Sequence, residues 1–142
     1  MPSSKSANKA RRGYQLFVSH ATTDKWLATV LCEKIEAAGA RAFRDDRDIH
    51  GGDDIPETIR SELARSRELL ILLTPDSIHR PWVLIELGAY WGRRGGQRIV
   101  AVLCHVAFDT IPDMIKSKKA IPLNKLDDYF EELGKRVRKV RS

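Results

Sequence analysis

Residues 69–73 read Leu-Leu-Ile-Leu-Leu, five consecutive aliphatic side chains with no polar residue among them. A strand with one wet face alternates apolar and polar residues, so an unbroken run marks a strand covered on both faces. The usual place for such a strand is the middle of a parallel sheet. Parallel neighbours cannot be joined by a tight hairpin and need crossover connections, normally helices, which then cover the sheet. This one pentapeptide therefore asks for strands and helices in alternation.

The rest of the chain supplies them. Tyr14–Ser19 reads as a first buried strand, followed by a polar turn. A helix then runs from about Asp24 to Ala38, with Leu27, Val30, Leu31, Ile35 and Ala38 on one stripe and Gly39 as its stop. Residues 40–43 form a short second strand leading into a charged loop, 44–54. Asp54 is the expected cap of the next helix, with Pro56 early in it and Ile55, Ile59 and Leu63 as its apolar stripe. After 69–73 come a loop (74–81), an apolar helix (81–92), a fourth strand (98–106) and a fifth strand near 120–123. Leu126, Tyr129, Phe130, Leu133 and Val137 space out as a final helix. The expected fold is α/β, doubly wound and flavodoxin-like, with a five-stranded parallel sheet and helices on both faces.

With 142 residues the chain suits one domain. The net charge of +6 raises the question of nucleic acid, and its location matters. Residues 1–12 hold four basic groups and residues 135–142 hold five, with no acid in either segment. Removing those nine from 25 Lys and Arg leaves 16 against 19 acids, a net of −3 for residues 13–134. The division is thus a basic N-terminal tail (1–12), a slightly acidic domain (13–137) and a basic C-terminal tail (138–142), with no sequence-specific nucleic-acid partner expected. No apolar run approaches the roughly 18 residues needed to span a bilayer, and no apolar leader follows the basic N-terminus. Membrane partners are not expected, and a cytoplasmic location follows by default.

In doubly wound folds ligands bind at the carboxyl ends of the strands, where strand order reverses. Ser19–Asp24, Arg44–Asp54 and Thr74–Pro81 belong there. The 81–92 helix carries one charge, Glu86, four residues after Trp82 and on the same face. That carboxylate is either solvated, or paired with Arg80 or Arg93, or held in an apolar cleft where its charge acts at reduced dielectric. The 44–54 loop, with five aspartates and Gly51–Gly52, is either a charged surface loop or a lid or interaction arm; it lacks the ligand spacing of an EF-hand. No G-x-G-x-x-G follows the first strand and no P-loop is present, so the usual nucleotide cradles are missing. Cys32 and Cys104 read as buried reduced thiols, and the four scattered histidines give no metal site. Cys104 and His105, as strand neighbours, would point to opposite faces and form no nucleophile–base pair.

Several segments together resemble the Toll/interleukin-receptor (TIR) domain family, from Tyr14 to about Val137. Tyr-Gln-Leu-Phe-Val-Ser-His (14–20) is similar to the family's opening strand motif, with His20 at the usual aromatic position. Arg47–Gly51 resembles the loop signature Arg-Asp-x-Pro-Gly, with His50 in place of the proline. Residues 69–77 followed by Trp82–Leu87 resemble the third strand and the Ser…Trp-x-x-x-Glu-Leu motif.

The resemblance implies an NAD+ glycohydrolase or ADP-ribosyl cyclase of the bacterial single-domain kind, serving antiphage defence. It makes Glu86 catalytic and Trp82 a wall or stacking surface. It also makes Ser19, His20, Ala21, Arg44, Asp45, Asp46 and Arg47 substrate contacts. NAD+ is then substrate, and neither metal nor cofactor is needed. The family's self-association implies a contact loop at Asp48, Ile49, His50, Gly51 and Gly52, and a cyclised product would imply a downstream effector that senses it. The family also implies a rival: a scaffold that binds other TIR domains without turnover. A third reading is an enzyme like the nucleoside deoxyribosyltransferases, which share the α/β fold and a glutamate at a glycosidic carbon. Two departures stand out. Ala21 and Thr22 occupy positions where some NAD-cleaving relatives carry arginines, and Val83 stands where the family often has cysteine.

Overall fold

In the computed structural model, residues 13–44, 56–76, 98–107, 109 and 119–141 are described. Five strands, β1 (Gln15–Ser19), β2 (Arg41–Arg44), β3 (Glu68–Leu73), β4 (Arg98–Leu103) and β5 (Lys119–Pro122), form one sheet in the order β2-β1-β3-β4-β5, and every pairing is parallel. This is the flavodoxin-like order expected from the sequence, with the reversal between β1 and β3. Among the described residues the helices are α1 (Lys25–Ala37), α2 (Glu57–Arg65) and α3 (Leu126–Arg141). None is long and apolar enough to cross a membrane.

All six β3 residues are buried, which is what the aliphatic run demands. The alternation of a strand sends Leu70 and Leu72 to one face and Leu69, Ile71 and Leu73 to the other. On the first face they join Leu16, Val18, Val100 and Val102 against Leu31 and Ile35 of α1 and Leu133 and Val137 of α3. On the second they join Phe17, Ile99 and Ala101 against Ile59 and Leu63 of α2. The α1 stripe differs from expectation at one position. Val30 is 39% exposed, while Ala28, at 0%, packs in the core with Leu27, Leu31 and Ile35.

Two ends also differ. The fourth strand stops at Leu103, three residues before the expected end, because Leu103 is the last residue paired to Leu73 on one side and to Pro122 on the other. The chain then bends, with His105 at φ 58°. The strand-neighbour argument that separated Cys104 from His105 therefore does not apply. The final helix continues past Val137 to Arg141, so residues 138–141 are helical, not a tail. Among the described residues Cys32 and Cys104 form no disulfide, and both are half-buried, less enclosed than expected. The second helix starts at Glu57 with Pro56, not Asp54, at its N-cap, because Pro56 is still extended (ψ 142°); Ile55 and the expected 81–92 helix lie outside the described residues.

A charge is buried at the amino end of β3. Glu68, at 0% exposure, accepts hydrogen bonds from Tyr14 Oη at Oε2, from Tyr129 Oη at Oε1 (2.6 Å), and from Arg136 Nε (3.0 Å) and Nη2 (3.2 Å). A buried carboxylate is tolerable only when its lone pairs are satisfied and a cation stands beside it. Here the partners come from the segment before β1 and from α3. The cluster thereby ties the last helix to the central strand.

Gly39 ends α1 at φ 99°, donating to Glu36 O (3.0 Å). An added Cβ would lie 3.3 Å from Val137 Cγ1, so Gly39→Ala should lower stability by roughly 1–2 kcal/mol in urea unfolding. A second expectation concerns alkaline pH. Burial, then the Glu68 hydrogen bond and charge, pushes the Tyr14 hydroxyl up to about 12, and the same causes raise Tyr129. Both hold their proton more tightly folded than unfolded, so their contribution is complete below the ordinary tyrosine value of about 10 and is lost as pH rises toward 12. Urea unfolding at pH 9 and 11 should show wild type losing more stability than Tyr14→Phe, by on the order of 1 kcal/mol.

Candidate functional site

The carboxyl edge is organised around the reversal of strand order, where β1 and β3 lie side by side with Ser19 opposite Ile71. Such a reversal sends the two following connections to opposite faces and opens a crevice between them. Ser19 is buried (7% exposed) as the last residue of β1. His20 follows, half-buried, with Nδ1 2.7 Å from Ala21 O. A carbonyl can only accept, so Nδ1 carries a proton. Ala21 O also accepts from Asp24 N (2.9 Å), closing the 3-10 turn Thr22–Asp24 that leads into α1.

Asp24 stands at the start of α1, where an aspartate ordinarily caps its own helix. Its carboxylate makes no such cap. Instead Oδ2 accepts from Thr74 Oγ1 (2.6 Å), the residue that follows β3. Thr23 Oγ1 donates to Asp76 Oδ2 at 3.3 Å. Two hydrogen bonds thus span the crevice and hold the segment after β1 against the segment after β3.

Arg44, the last residue of β2, turns toward α1. Its Nη1 donates to Lys25 O (3.2 Å) and Thr29 Oγ1 (2.5 Å), so part of the guanidinium is spent on the helix. On the other side Cys104 N donates to Leu73 O (2.9 Å), and its thiol lies near enough to Asp24 to feel that charge. Burial first, and the Asp24 charge second, raise the Cys104 thiol above its ordinary value. A thiol so placed stays protonated at neutral pH and is a poor nucleophile. Beyond it lies an open groove of about 570 Å³, lined by Leu103–Val106 and Pro122–Asn124.

Of the expected site residues, the structure brings Ser19, His20 and Ala21 together at the end of β1 and sets Arg44 on the adjoining strand. Glu86, Trp82, Asp45, Asp46, Arg47 and the loop Asp48–Gly52 lie outside the described residues. Sequence reading assigned Asp24 and Thr74 to this edge without pairing them, because nothing local links residues so distant in the chain. Cys104 was set aside on strand alternation.

A family profile described as "TIR domain" matches residues 16–137, and the chain belongs to that family. It is 29% identical over 94 residues to the 2' cyclic ADP-D-ribose synthase AbTIR of Acinetobacter baumannii, covering 65% of this chain and 35% of that protein. Against the NAD(+) hydrolase TcpA of a Theionarchaea archaeon it is 27% identical over 94 residues, covering 65% and 29%. The matches thus span about a third of the length of these curated relatives. Among solved structures, the TIR domain of the Toll-related receptor TRR-2 of Hydra magnipapillata superposes with a TM-score of 0.62 at 19% identity, covering 91% of this chain and 99% of that one.

The Asp24 charge on the Cys104 thiol is open to a direct check. In a Cys32→Ser background, Asp24→Asn should lower the pH at which iodoacetamide alkylates Cys104, while Thr74→Val should cost about 1–2 kcal/mol of unfolding free energy. An unchanged alkylation profile in Asp24→Asn would show the carboxylate has no hold on the thiol.

Proposed function

We propose that this TIR domain cleaves the nicotinamide–ribose bond of NAD+. The observation that carries the reading is the Trp82-x-x-x-Glu86-Leu87 sequence, which begins nine residues after the last residue of β3. It is supported by relatives named as an NAD(+) hydrolase and a 2' cyclic ADP-D-ribose synthase. One carboxylate suffices for this chemistry. A glycosidase commonly needs a second carboxyl to protonate its leaving oxygen. Nicotinamide already carries the positive charge in NAD+, takes the electrons of the breaking C–N bond and leaves neutral.

What the protein must then stabilise is an oxocarbenium-like ribose, and Glu86 serves by its charge and by hydrogen bonds to ribose hydroxyls. Water capturing that carbon gives ADP-ribose and a proton; a hydroxyl of the same molecule gives a cyclic ADP-ribose and the same proton. Ser19, His20 and Arg44 offer polar groups to the substrate at the strand ends, and Trp82 offers a ring face. In this reading the domain acts on self-association through residues 48–52, and a defence response to phage, by NAD+ depletion or through an effector sensing the cyclic product, is its setting.

The test is nicotinamide release from NAD+ by concentrated protein, followed by chromatography, with the product identified by mass. Glu86→Gln should lower kcat/KM by on the order of 3 kcal/mol or more, that is, at least about 100-fold. The wild-type rate should rise faster than linearly with protein concentration. Equal rates in wild type and Glu86→Ala would overturn the assignment; TIR binding without turnover, lost in His50→Ala, would establish the scaffold instead.

A further inference from the structure

We infer that the amino edge of the sheet, opposite the candidate site, binds double-stranded nucleic acid through its phosphates without regard to sequence. The inference rests on charge placement and is independent of the proposed reaction. Parallel strands all start at one edge, and the helices that return the chain end there too. In this protein several of those starts and ends carry basic residues.

Arg41 begins β2, Arg67 immediately precedes β3 and Arg98 begins β4. Their backbones are fixed in one row of hydrogen bonds: Arg41 N to Tyr14 O (2.9 Å), Arg67 N to Gln15 O (2.7 Å) and Arg98 N to Arg67 O (3.1 Å). At about 4.8 Å per strand, the row from β2 to β4 is about 15 Å long. Lys34 in the last turn of α1 and Arg65 at the end of α2 border it.

The extension of α3 completes the surface. Gly134 and Val137 lie against Ala38 and Gly39 at the end of α1, so the turn beyond them overhangs this edge. This end of α3 carries Lys135, Arg138 and Lys139, all exposed. The acids nearby only partly offset this charge. Glu68 is neutralised by Arg136, and Glu62 holds Gln15 Nε2 and Arg65. Glu33 and Glu36 of α1 and Glu132 of α3, 4.0 Å from Arg136, add to them. The carboxyl edge has the opposite balance, with Asp24, Asp76, Asp109, Asp127 and Asp128 among its residues.

A duplex presents about one negative charge per 1.7 Å of axis, so a row of this length faces several phosphates at once. Arginine, which supplies the row, forks onto phosphate oxygens in a way lysine does not; Arg67 spends its Nε on Gly13 O (2.7 Å) and lies over the Tyr14 ring, so Arg41 and Arg98 are the principal forks. A membrane surface is the less suitable polyanion. Interfacial binding combines basic charge with inserted apolar side chains. Among the described residues near this edge, Val140 (41%) is the one exposed large hydrophobic, while Trp26 (70%) and Leu123 (36%) lie toward the carboxyl edge.

The test is fluorescence anisotropy of the full chain with two labelled 20-base-pair DNA duplexes of unrelated sequence, from 50 to 200 mM KCl. Both should bind with similar affinity, falling linearly on logarithmic axes. Arg98→Glu should weaken binding about threefold and flatten the salt slope by about one. The combined Arg41→Glu, Arg98→Glu, Lys139→Glu variant should weaken it at least about tenfold. Arg98→Gln and Lys139→Gln repeat the measurement should the reversals unfold the chain. Lys125→Glu, at the other edge, should leave binding unchanged. Absence of saturable binding at 50 mM, equal weakening by Lys125→Glu, or binding to phosphatidylserine vesicles but not to duplex would each overturn the inference.

Discussion

The structure depends on the burial of β3 on both faces. A strand so placed must find all its backbone partners within the sheet and all its side-chain partners in helices above and below. β1 and β4 supply the first, α1 and α3 cover one face, and α2 contributes to the other. Because the pairings are parallel, every strand and helix terminus is sorted to one of two edges. The polarity of the backbone thus separates the carboxyl edge, with its crevice, from the amino edge, with its basic row.

Each edge uses a buried or half-buried carboxylate as a tie. Glu68 holds the segment before β1 and α3 to the amino end of β3. Asp24 holds the start of α1 to the residue after β3. Beside them, burial first and the neighbouring carboxylate second raise Tyr14 and Tyr129 in one case and Cys104 in the other. A protein that puts charge at the two ends of its most apolar strand must satisfy it there, and that requirement fixes where α1 and α3 lie.

Most of the architecture was legible because it rests on periodicity. The 69–73 run named the central strand, and Leu27, Leu31 and Ile35, or Leu126, Tyr129, Leu133 and Val137, recur at the helical period whatever they pack on. What failed were ends and long-range pairs. The fourth strand looked continuous to Val106 because its residues stay apolar, yet a strand ends where its neighbours end, and that is a property of β3 and β5. Residues 138–141 looked like a tail because charge there was read without the turn of helix beneath it. Asp24 with Thr74, and Glu68 with Tyr14, Tyr129 and Arg136, pair groups 50 or more residues apart, beyond any local pattern.

The sequence by itself determined the α/β class, the alternation of elements, membership of the TIR family and the Trp82–Glu86 motif on which the enzymatic reading stands. These are encoded in the order and spacing of side chains, which no packing can change. Only the tertiary structure decided which residues meet: that His20 engages Ala21, that Arg44 leans on α1, that Asp24 crosses to Thr74, and that basic residues scattered over a hundred positions share one edge. The physical reason is that a parallel sheet gathers its strand starts at one side and its strand ends at the other. Neighbours in space there are strangers in sequence.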